Sequence, residues 1–499
     1  MPIIGLAAKR RGRVLERLWP PTSAVGFPLQ PPPQPSSLQL LSSAASWSSA
    51  PPSQPAQVAS LEDQPSWDLD GAAALASGFK ESAPEDGRPL PDILARLAPA
   101  ISKSLNTPTP GYFAYIPSGG LPAAAMADLV SLVTNRYVGV AACAPALAQI
   151  EATAIGWLAR ELGLPAGAGG ILTSGGSLSH LTAIVTARTN RLPEEFLSGS
   201  LYVSEEAHLS AAKAARIAGF PARAVRRIPV DGRCRMRVDA LARAVAEDRA
   251  AGRRPFLIVA TAGTTNTGAI DPLPELAALA RREGLWLHVD AAYGGFFRLR
   301  PEGAERLRGI EEADSITLDP HKGLFLPYGT GCLLVRDPET LRRAHASEAH
   351  YLQDVADADG PPSFTDLSPE LSRDFRGLRV WLPVMLHGLR AFRETVAEKL
   401  ALARWAADRL RDEPLLELVD EPQLSLVALR ACPPRGDGDA FGGELLRRVN
   451  ARRRVFLSST VVGGRYTLRL CILSFRSHQD HVAEAVNTLI EEAHALAAG

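Results

Sequence analysis

Between about residues 122 and 390, short apolar or β-branched runs alternate with amphipathic stretches. The runs 201–203, 255–260, 285–290 and 315–318 are short and almost continuously apolar, which predicts strands buried on both faces. Between them lie helical patterns such as 273–282, with Asp271 predicted as N-cap, Pro272 in the first turn and Gly284 just past the end. Alternation of this kind predicts an α/β unit built on a largely parallel sheet with helices on both faces. From about 391 to 499 the pattern changes. A long helical stretch runs through Leu400 and Leu410, strand candidates follow at 424–429 and 466–473, and a helix ends the chain, which predicts a smaller α+β domain.

The region before this block is different. Residues 61–121 alternate short helical patterns with Pro/Gly turns and end in the run Thr109 to Ser118. Residues 1–60 are rich in Pro, Ser and Gln, and cannot bury enough apolar surface to offset their ordering entropy, so a disordered tail is expected. Its basic start (Lys9, Arg10, Arg11, Arg13, Arg17) has some character of a transit peptide but lacks the apolar core of a secretory signal. The sequence contains no internal repeat.

Composition narrows the function classes. Fifty-four basic and 54 acidic residues cancel, so no overall positive field draws in nucleic acid or an anionic membrane. The most apolar region, 121–150, is interrupted by Asp128, Asn135 and Arg136, and no run reaches the ~20 residues of a membrane span. Five scattered cysteines without a C-x-x-C pair argue against a disulfide framework or a structural zinc. They are expected to be reduced and mostly buried, in a cytoplasmic protein. Only six residues are lysine: Lys9, Lys80, Lys103, Lys213, Lys322 and Lys399. Any chemistry that needs an amine must choose among them.

Four segments carry candidate chemistry. In Ile171 to Leu181 an apolar run enters the turn Ser174-Gly-Gly-Ser177 before a helical pattern. Open N–H groups and the hydroxyls of Thr173, Ser174 and Ser177 there could cradle a phosphate, although an ordinary capped βα turn looks the same. Asp290 ends a buried strand at the rim where α/β sheets bind ligands, and a buried carboxylate requires a positive partner. A protonated pyridine nitrogen would serve, as would a helix cap or a structural ion pair. Lys322 follows the strand end 315–318 with His321 beside it, a setting in which an amine's pKa falls and it becomes nucleophilic. His208 follows the strand at 201–203 and could stack on a flat ring, although a lone histidine is more often structural. Together, in this order along one α/β unit, they supply what pyridoxal phosphate requires: anion binding, ring stacking, a carboxylate for the ring nitrogen and an amine for a Schiff base.

On these residues the chain resembles the group II pyridoxal-dependent decarboxylases, which include aromatic-amino-acid, histidine and glutamate decarboxylases. The resemblance runs from about 65 to 490. Its most specific pieces are His288-Val-Asp-Ala-Ala-Tyr-Gly-Gly295, Asp319-Pro-His-Lys322, Ala260-Thr-Ala-Gly-Thr-Thr265 and Ser174-Gly-Gly-Ser177. It implies fold type I with a mostly parallel seven-stranded sheet, a homodimer with shared active sites, and amino-acid decarboxylation to an amine and CO2. It also implies residue roles. Gly176 and Ser177 would hold the phosphate, His208 would stack on the ring, Asp290 would meet the ring nitrogen and Lys322 would carry the Schiff base. Ala292 would pack on the ring, with Thr261 near it and His321 beside the cofactor. The segment Tyr115 to Ser118 would reach the neighbouring active site.

Two departures stand out. Many relatives have Asn where this chain has Asp319. Counting back from Arg373 to Trp381 also puts Phe364 where a loop tyrosine is expected to return a proton to the substrate carbon. With Phe364 there, His321, Tyr351 or a water would have to supply the proton, or the reaction would end in decarboxylation-coupled oxidative deamination to an aldehyde. Another fold type I lyase or aminotransferase, and a non-catalytic partner subunit, are the remaining alternatives.

Overall fold

The computed structural model describes residues 63–117, 119–347 and 360–498. The 1–60 segment, Ser118 and Tyr351 therefore lie outside the described residues.

Among the described residues, four α-helices precede the first sheet: α1 (Ala72–Ser77), α2 (Leu90–Ser102), α3 (Pro122–Thr134) and α4 (Pro145–Glu161). The sheet then forms from β1 (Gly169–Thr173), β2 (Gly199–Ser204), β3 (Val225–Ile228), β4 (Arg254–Thr261), β5 (Trp286–Asp290), β6 (Ser315–Leu318) and β7 (Gly331–Val335). Between its strands run α5 (Gly176–Arg191), α6 (Leu209–Ile217), α7 (Val238–Ala250) and α8 (Leu273–Glu283). The spatial order is β1-β7-β6-β5-β4-β2-β3. Only β7 runs antiparallel to its neighbours, β1 and β6; the pairs β6/β5, β5/β4, β4/β2 and β2/β3 are parallel. The expected mostly parallel seven-stranded sheet is present.

β5 shows why such strands are read as continuous apolar runs. All five of its residues are buried, because helices cover both faces. Its two polar-capable side chains are satisfied internally. Trp286 Nε1–H donates to Ser315 Oγ at 2.8 Å, and the His288 ring bridges Ser315 Oγ (2.8 Å) and Thr317 Oγ1 (3.1 Å) on β6. Burial pushes the His288 imidazole down to about 3, so it is a neutral bridge.

Helix α8 buries Leu276, Ala277, Leu279 and Ala280 and turns its charges outward, and Gly284 closes it in the left-handed conformation at φ 67°. Asp271 is not its cap. Its carboxylate accepts the backbone N–H groups of Met236 (2.7 Å) and Thr261 (2.8 Å), tying the end of β4 to a neighbouring loop. Burial pushes the Asp271 carboxyl up to about 6 despite those two donors. A carboxyl raised in the folded state favours folding fully below its unfolded pKa near 3.8 and loses that contribution as pH rises through about 6. Relative to Asp271→Asn, the wild type is therefore expected to lose on the order of 3 kcal/mol between pH 4 and pH 7. Urea unfolding of both proteins across that range checks it, and parallel curves would refute the assignment.

The second sheet, order β10-β11-β9-β8, is antiparallel throughout. It is formed by β8 (Leu416–Leu418), β9 (Leu426–Ala431), β10 (Ser458–Val462) and β11 (Arg465–Cys471). It packs with α9 (Gly377–Arg411), α10 (Gly438–Ala451) and α11 (Gln479–Ala498) around a core of its own that includes Leu402, Leu429, Leu445, Leu470 and Leu489. Helix α9 is broken at Gly388, whose φ of 70° and ψ of 152° are not helical. All five cysteines are free; Cys234, Cys332 and Cys471 are buried, Cys432 half-buried and Cys143 exposed. Among the described residues no helix is long and apolar enough to cross a membrane.

Candidate active site

Parallel strands leave their carboxyl ends on one edge of a sheet, and ligands collect there. The ends of β1, β2, β4, β5 and β6 open into a cavity of about 280 Å3. Its walls include Gly176, Ser177, His208, Thr261, Asp290, Ala292, His321 and Lys322. Those eight residues, all expected from sequence, line this one cavity, whereas Thr173, Tyr115 and Phe364 do not, and Ser118 and Tyr351 are outside the described residues.

The turn after β1 sets one wall. Gly175 has φ 150° and ψ 174°, a region that disfavours any side chain, and Gly331 of β7 packs so close that a Cβ on it would meet the Gly175 Cα at 2.5 Å. Helix α5 starts at Gly176 with no side-chain cap. The N–H groups of Leu178 and Ser179 turn back to the Gly175 carbonyl, which leaves those of Gly176 and Ser177 at the positive end of the helix dipole. An anion fits there.

Asp290 forms the floor. Its Oδ1 accepts the Ala292 N–H at 3.1 Å, and its Oδ2 lies 3.4 Å from His180 Nε2. Burial alone would raise its pKa, but His180, Lys322 and the Ala292 N–H together hold the carboxyl well below the ordinary range. It is a buried anion that can accept a cationic ring N–H.

Lys322 sits on the one-turn helix Pro320–Gly323, with Nζ 2.9 Å from Asp319 Oδ2. The falling pKa expected from sequence is not what the site produces. Burial pulls the ammonium down, but the carboxylates of Asp319 and Asp290 outweigh it and hold the amine above its usual value. Asp319 is itself 3% exposed, and its Oδ1 has no hydrogen-bond partner among the described residues. His321 Nδ1–H donates to the Thr330 carbonyl at 2.7 Å, and burial lowers its pKa. Its Nε2 lies 3.7 Å from Asp319 Oδ2 on the cavity wall.

His208 caps α6. Its Nδ1 accepts from the Ser210 N–H (3.3 Å) and contacts Ser210 Oγ (2.7 Å), and burial lowers its pKa. Thr261 Oγ1 is buried without a hydrogen-bond partner among the described residues. Such an unpaired hydroxyl suits a site built around a polar ligand. A flat anionic cofactor with a ring N–H and an aldehyde fits these groups: an uncapped helix start, a buried carboxylate across the floor and an amine at the rim.

Phe364 does not belong to this site. It is fully buried in the turn Phe364–Leu367, under the guanidinium of Arg373 at 5.0 Å, and is absent from the cavity wall. The expectation that it replaces a loop tyrosine therefore loses its structural basis.

Sequence reasoning missed three contributors. His180, quoted in the turn motif but given no role, lies behind Asp290. Arg469 of β11 donates to the carbonyls of Tyr115 (3.0 Å), Asn266 (3.1 Å) and Thr265, tying the cavity loop to the 112–117 segment. Arg373 pairs with the buried Glu151 and donates to the Leu172 carbonyl at 3.1 Å, bracing β1 just before the turn Ser174–Ser177. Nothing local in the sequence marks any of these pairings.

Comparison with known proteins agrees with this geometry. The model of the pyridoxal-dependent decarboxylase conserved domain matches residues 73–432. The chain is 33% identical to an aromatic-L-amino-acid decarboxylase of Bacillus atrophaeus over 427 residues, 84% of this chain and 89% of that one. The crystal structure of an Oryza sativa TDC with PLP and tryptamine superposes with TM-score 0.83 at 28% identity, covering 87% of this chain and 94% of the other. A Rhodiola rosea 4-hydroxyphenylacetaldehyde synthase superposes with TM-score 0.80 at 25% identity, covering 87% and 94%. With its family model spanning most of the chain and its cavity furnished for the cofactor, this protein belongs to the pyridoxal-dependent decarboxylases, lyases that use pyridoxal phosphate to remove CO2 from amino acids.

Proposed function

We propose that the chain decarboxylates an aromatic L-amino acid to the corresponding amine and CO2, with Lys322 Nζ as the covalent anchor of pyridoxal phosphate. The observation that carries the reading is the joint presence, in one cavity, of Lys322, Asp290 and the uncapped start of α5. Three features support the aromatic class. A similar protein acts on aromatic amino acids by name, no arginine lines the described cavity wall to take an acidic side chain, and Tyr328 stands 5.5 Å from the His321 ring.

When bound, pyridoxal phosphate supplies an aldehyde carbon and a ring that takes up the electron pair released as the Cα–carboxylate bond breaks. The chain's own groups do the rest. The first-turn N–H groups of Gly176 and Ser177 would bind the phosphate. His208 and Ala292 would enclose the ring, and the Asp290 carboxylate would hold its nitrogen protonated. Lys322 Nζ must lose a proton before it bonds carbon. Asp319 Oδ2, 2.9 Å away, is the nearest group that could take it.

Product analysis tests the reading. Aromatic amino acids supplied to the purified holoenzyme should give amine and CO2 in equal amounts. Aldehyde with ammonia and peroxide would indicate the oxidative route instead, and turnover without CO2 would indicate another lyase or a transaminase.

Two copies are proposed to share the sites. Helix α2 has no buried residue, yet it exposes Leu90, Ile93, Leu97 and Ile101. Helix α3 exposes Leu129 and Val133 at 60% and 66%, and Tyr115 is 55% exposed. So much exposed apolar surface calls for a partner. Sedimentation should give a dimer, and Leu129→Asp should shift it to monomer with loss of activity. A wild type that sediments as a monomer would refute this.

A further inference from the structure

We propose that His180 is a positioning residue that couples two walls of the cavity: one nitrogen steadies the Asp290 carboxylate, and the other, through Ser210 Oγ, fixes the ring of His208. The inference rests on the cofactor assignment above. His180 lies on α5 and is 1% exposed; its Nε2 is 3.4 Å from Asp290 Oδ2, and its Nδ1 is 2.8 Å from Ser210 Oγ. Ser210 Oγ in turn lies 2.7 Å from His208 Nδ1. Three separate elements, α5, β5 and the start of α6, meet in this chain of contacts.

The direction of each hydrogen bond follows from counting protons. His208 Nδ1 accepts the Ser210 backbone N–H, so it carries a lone pair, and the Ser210 hydroxyl must donate to it. A hydroxyl has one proton to give. At its contact with His180 it therefore accepts, and His180 Nδ1 carries hydrogen. The contact that His180 Nε2 makes is with Asp290 Oδ2 at 3.4 Å, and among the described residues that nitrogen has no other hydrogen-bond partner. A lone pair there would be repelled, whereas an N–H is attracted, so the ring carries a proton on both nitrogens and balances the Asp290 charge. The charged and titratable groups around it agree. His288 stands edge-on at 5.3 Å with both nitrogens taken by hydroxyls, Lys322 is the other cation acting on Asp290, and His208 lies beyond Ser210. The consequence is a site in which the Asp290 anion and the Nε2–H tautomer of His208 are both set before a ring arrives.

A double-mutant cycle on cofactor affinity tests the coupling. Pyridoxal-phosphate dissociation constants are measured for the wild type, His180→Asn, His208→Asn and the double variant. His180→Asn is expected to raise the constant about tenfold, and the double variant to fall short of the product of the single effects by about fivefold. Single effects that multiply within twofold, or a His180→Asn constant within twofold of wild type, would overturn the coupling. If His180→Asn fails to fold, Ser210→Ala, which removes one hydroxyl, decides. A several-fold rise supports the proposal, and an unchanged constant overturns it. Nitrogen-15 spectra of histidine-labelled protein without cofactor read the protonation state directly. A ring protonated at both nitrogens, and lost in His180→Asn, is expected; a neutral His180 overturns the proposal. A wild type that binds no pyridoxal phosphate would sink the cofactor assignment, while those spectra would still decide the case of His180.

Discussion

Lys322→Ala is expected to lower turnover of the preferred amino acid by roughly a thousandfold or more, with the fold intact by circular dichroism, because removal of a covalent group takes the whole catalytic unit with it. Among the described residues no other lysine can stand in. Lys80 and Lys213 are exposed, and Lys103 is paired with Asp68. Lys399 is the instructive rival. It is completely buried, and desolvation lowers its pKa, which taken alone would mark it as the nucleophile. Its Nζ, however, is bonded to Glu398 (2.8 Å) and the Ser477 carbonyl (2.6 Å), away from the cavity. Lys322 has the opposite shift and the right place. Geometry therefore favours Lys322, which lines the cavity with its Nζ 2.9 Å from Asp319 Oδ2. Steady-state assays of Lys322→Ala beside Lys399→Met, which should keep its catalytic rate wherever it folds, separate the two. Equal loss in both would argue that burial, not position, governs.

Arg373→Ala is expected to produce the largest loss of stability, about 3–5 kcal/mol, because it strands a buried carboxylate. Arg373 Nη2 lies 2.6 Å from Glu151 Oε1, and both side chains are essentially inaccessible. The other Glu151 oxygen accepts the Gly377 N–H at 3.1 Å, so the pair ties α4 to the start of α9. Through the Leu172 carbonyl, which Arg376 also contacts at 3.2 Å, the same network reaches the phosphate turn. The variant should therefore bind cofactor more weakly as well as unfold at lower urea. The double variant Arg373→Met with Glu151→Leu should recover most of the stability, since apolar replacement of a buried ion pair is often neutral. Urea midpoints for the three proteins check it, and a single variant within about 1 kcal/mol of wild type would contradict the assignment.

The strands that fix the site were legible because burial on both faces leaves a continuous apolar signature, as in β5 and β6. The residues at their ends were legible because Asp290 and Lys322 are polar interruptions of that signature. β3 was not, since Arg226 and Arg227 break the run on a strand at the sheet edge. β7 was not, because Gly331–Val335 carries no mark of its antiparallel direction. Asp271 followed the sequence rule for a helix cap, yet tertiary donors on Met236 and Thr261 took its carboxylate instead. Phe364 was misassigned because counting from an anchor assumes the intervening chain keeps one course. A short turn buries it under Arg373. His180 and Glu151 were unreadable for the same physical reason: each acts on a partner that only the folded sheet brings near.

Reduction of the pyridoxal-phosphate-loaded wild type with borohydride, followed by peptide mapping, tests the central claim most directly. The reduced cofactor should be found on the peptide that carries Lys322. Its recovery on any other lysine, or on none, would contradict the account.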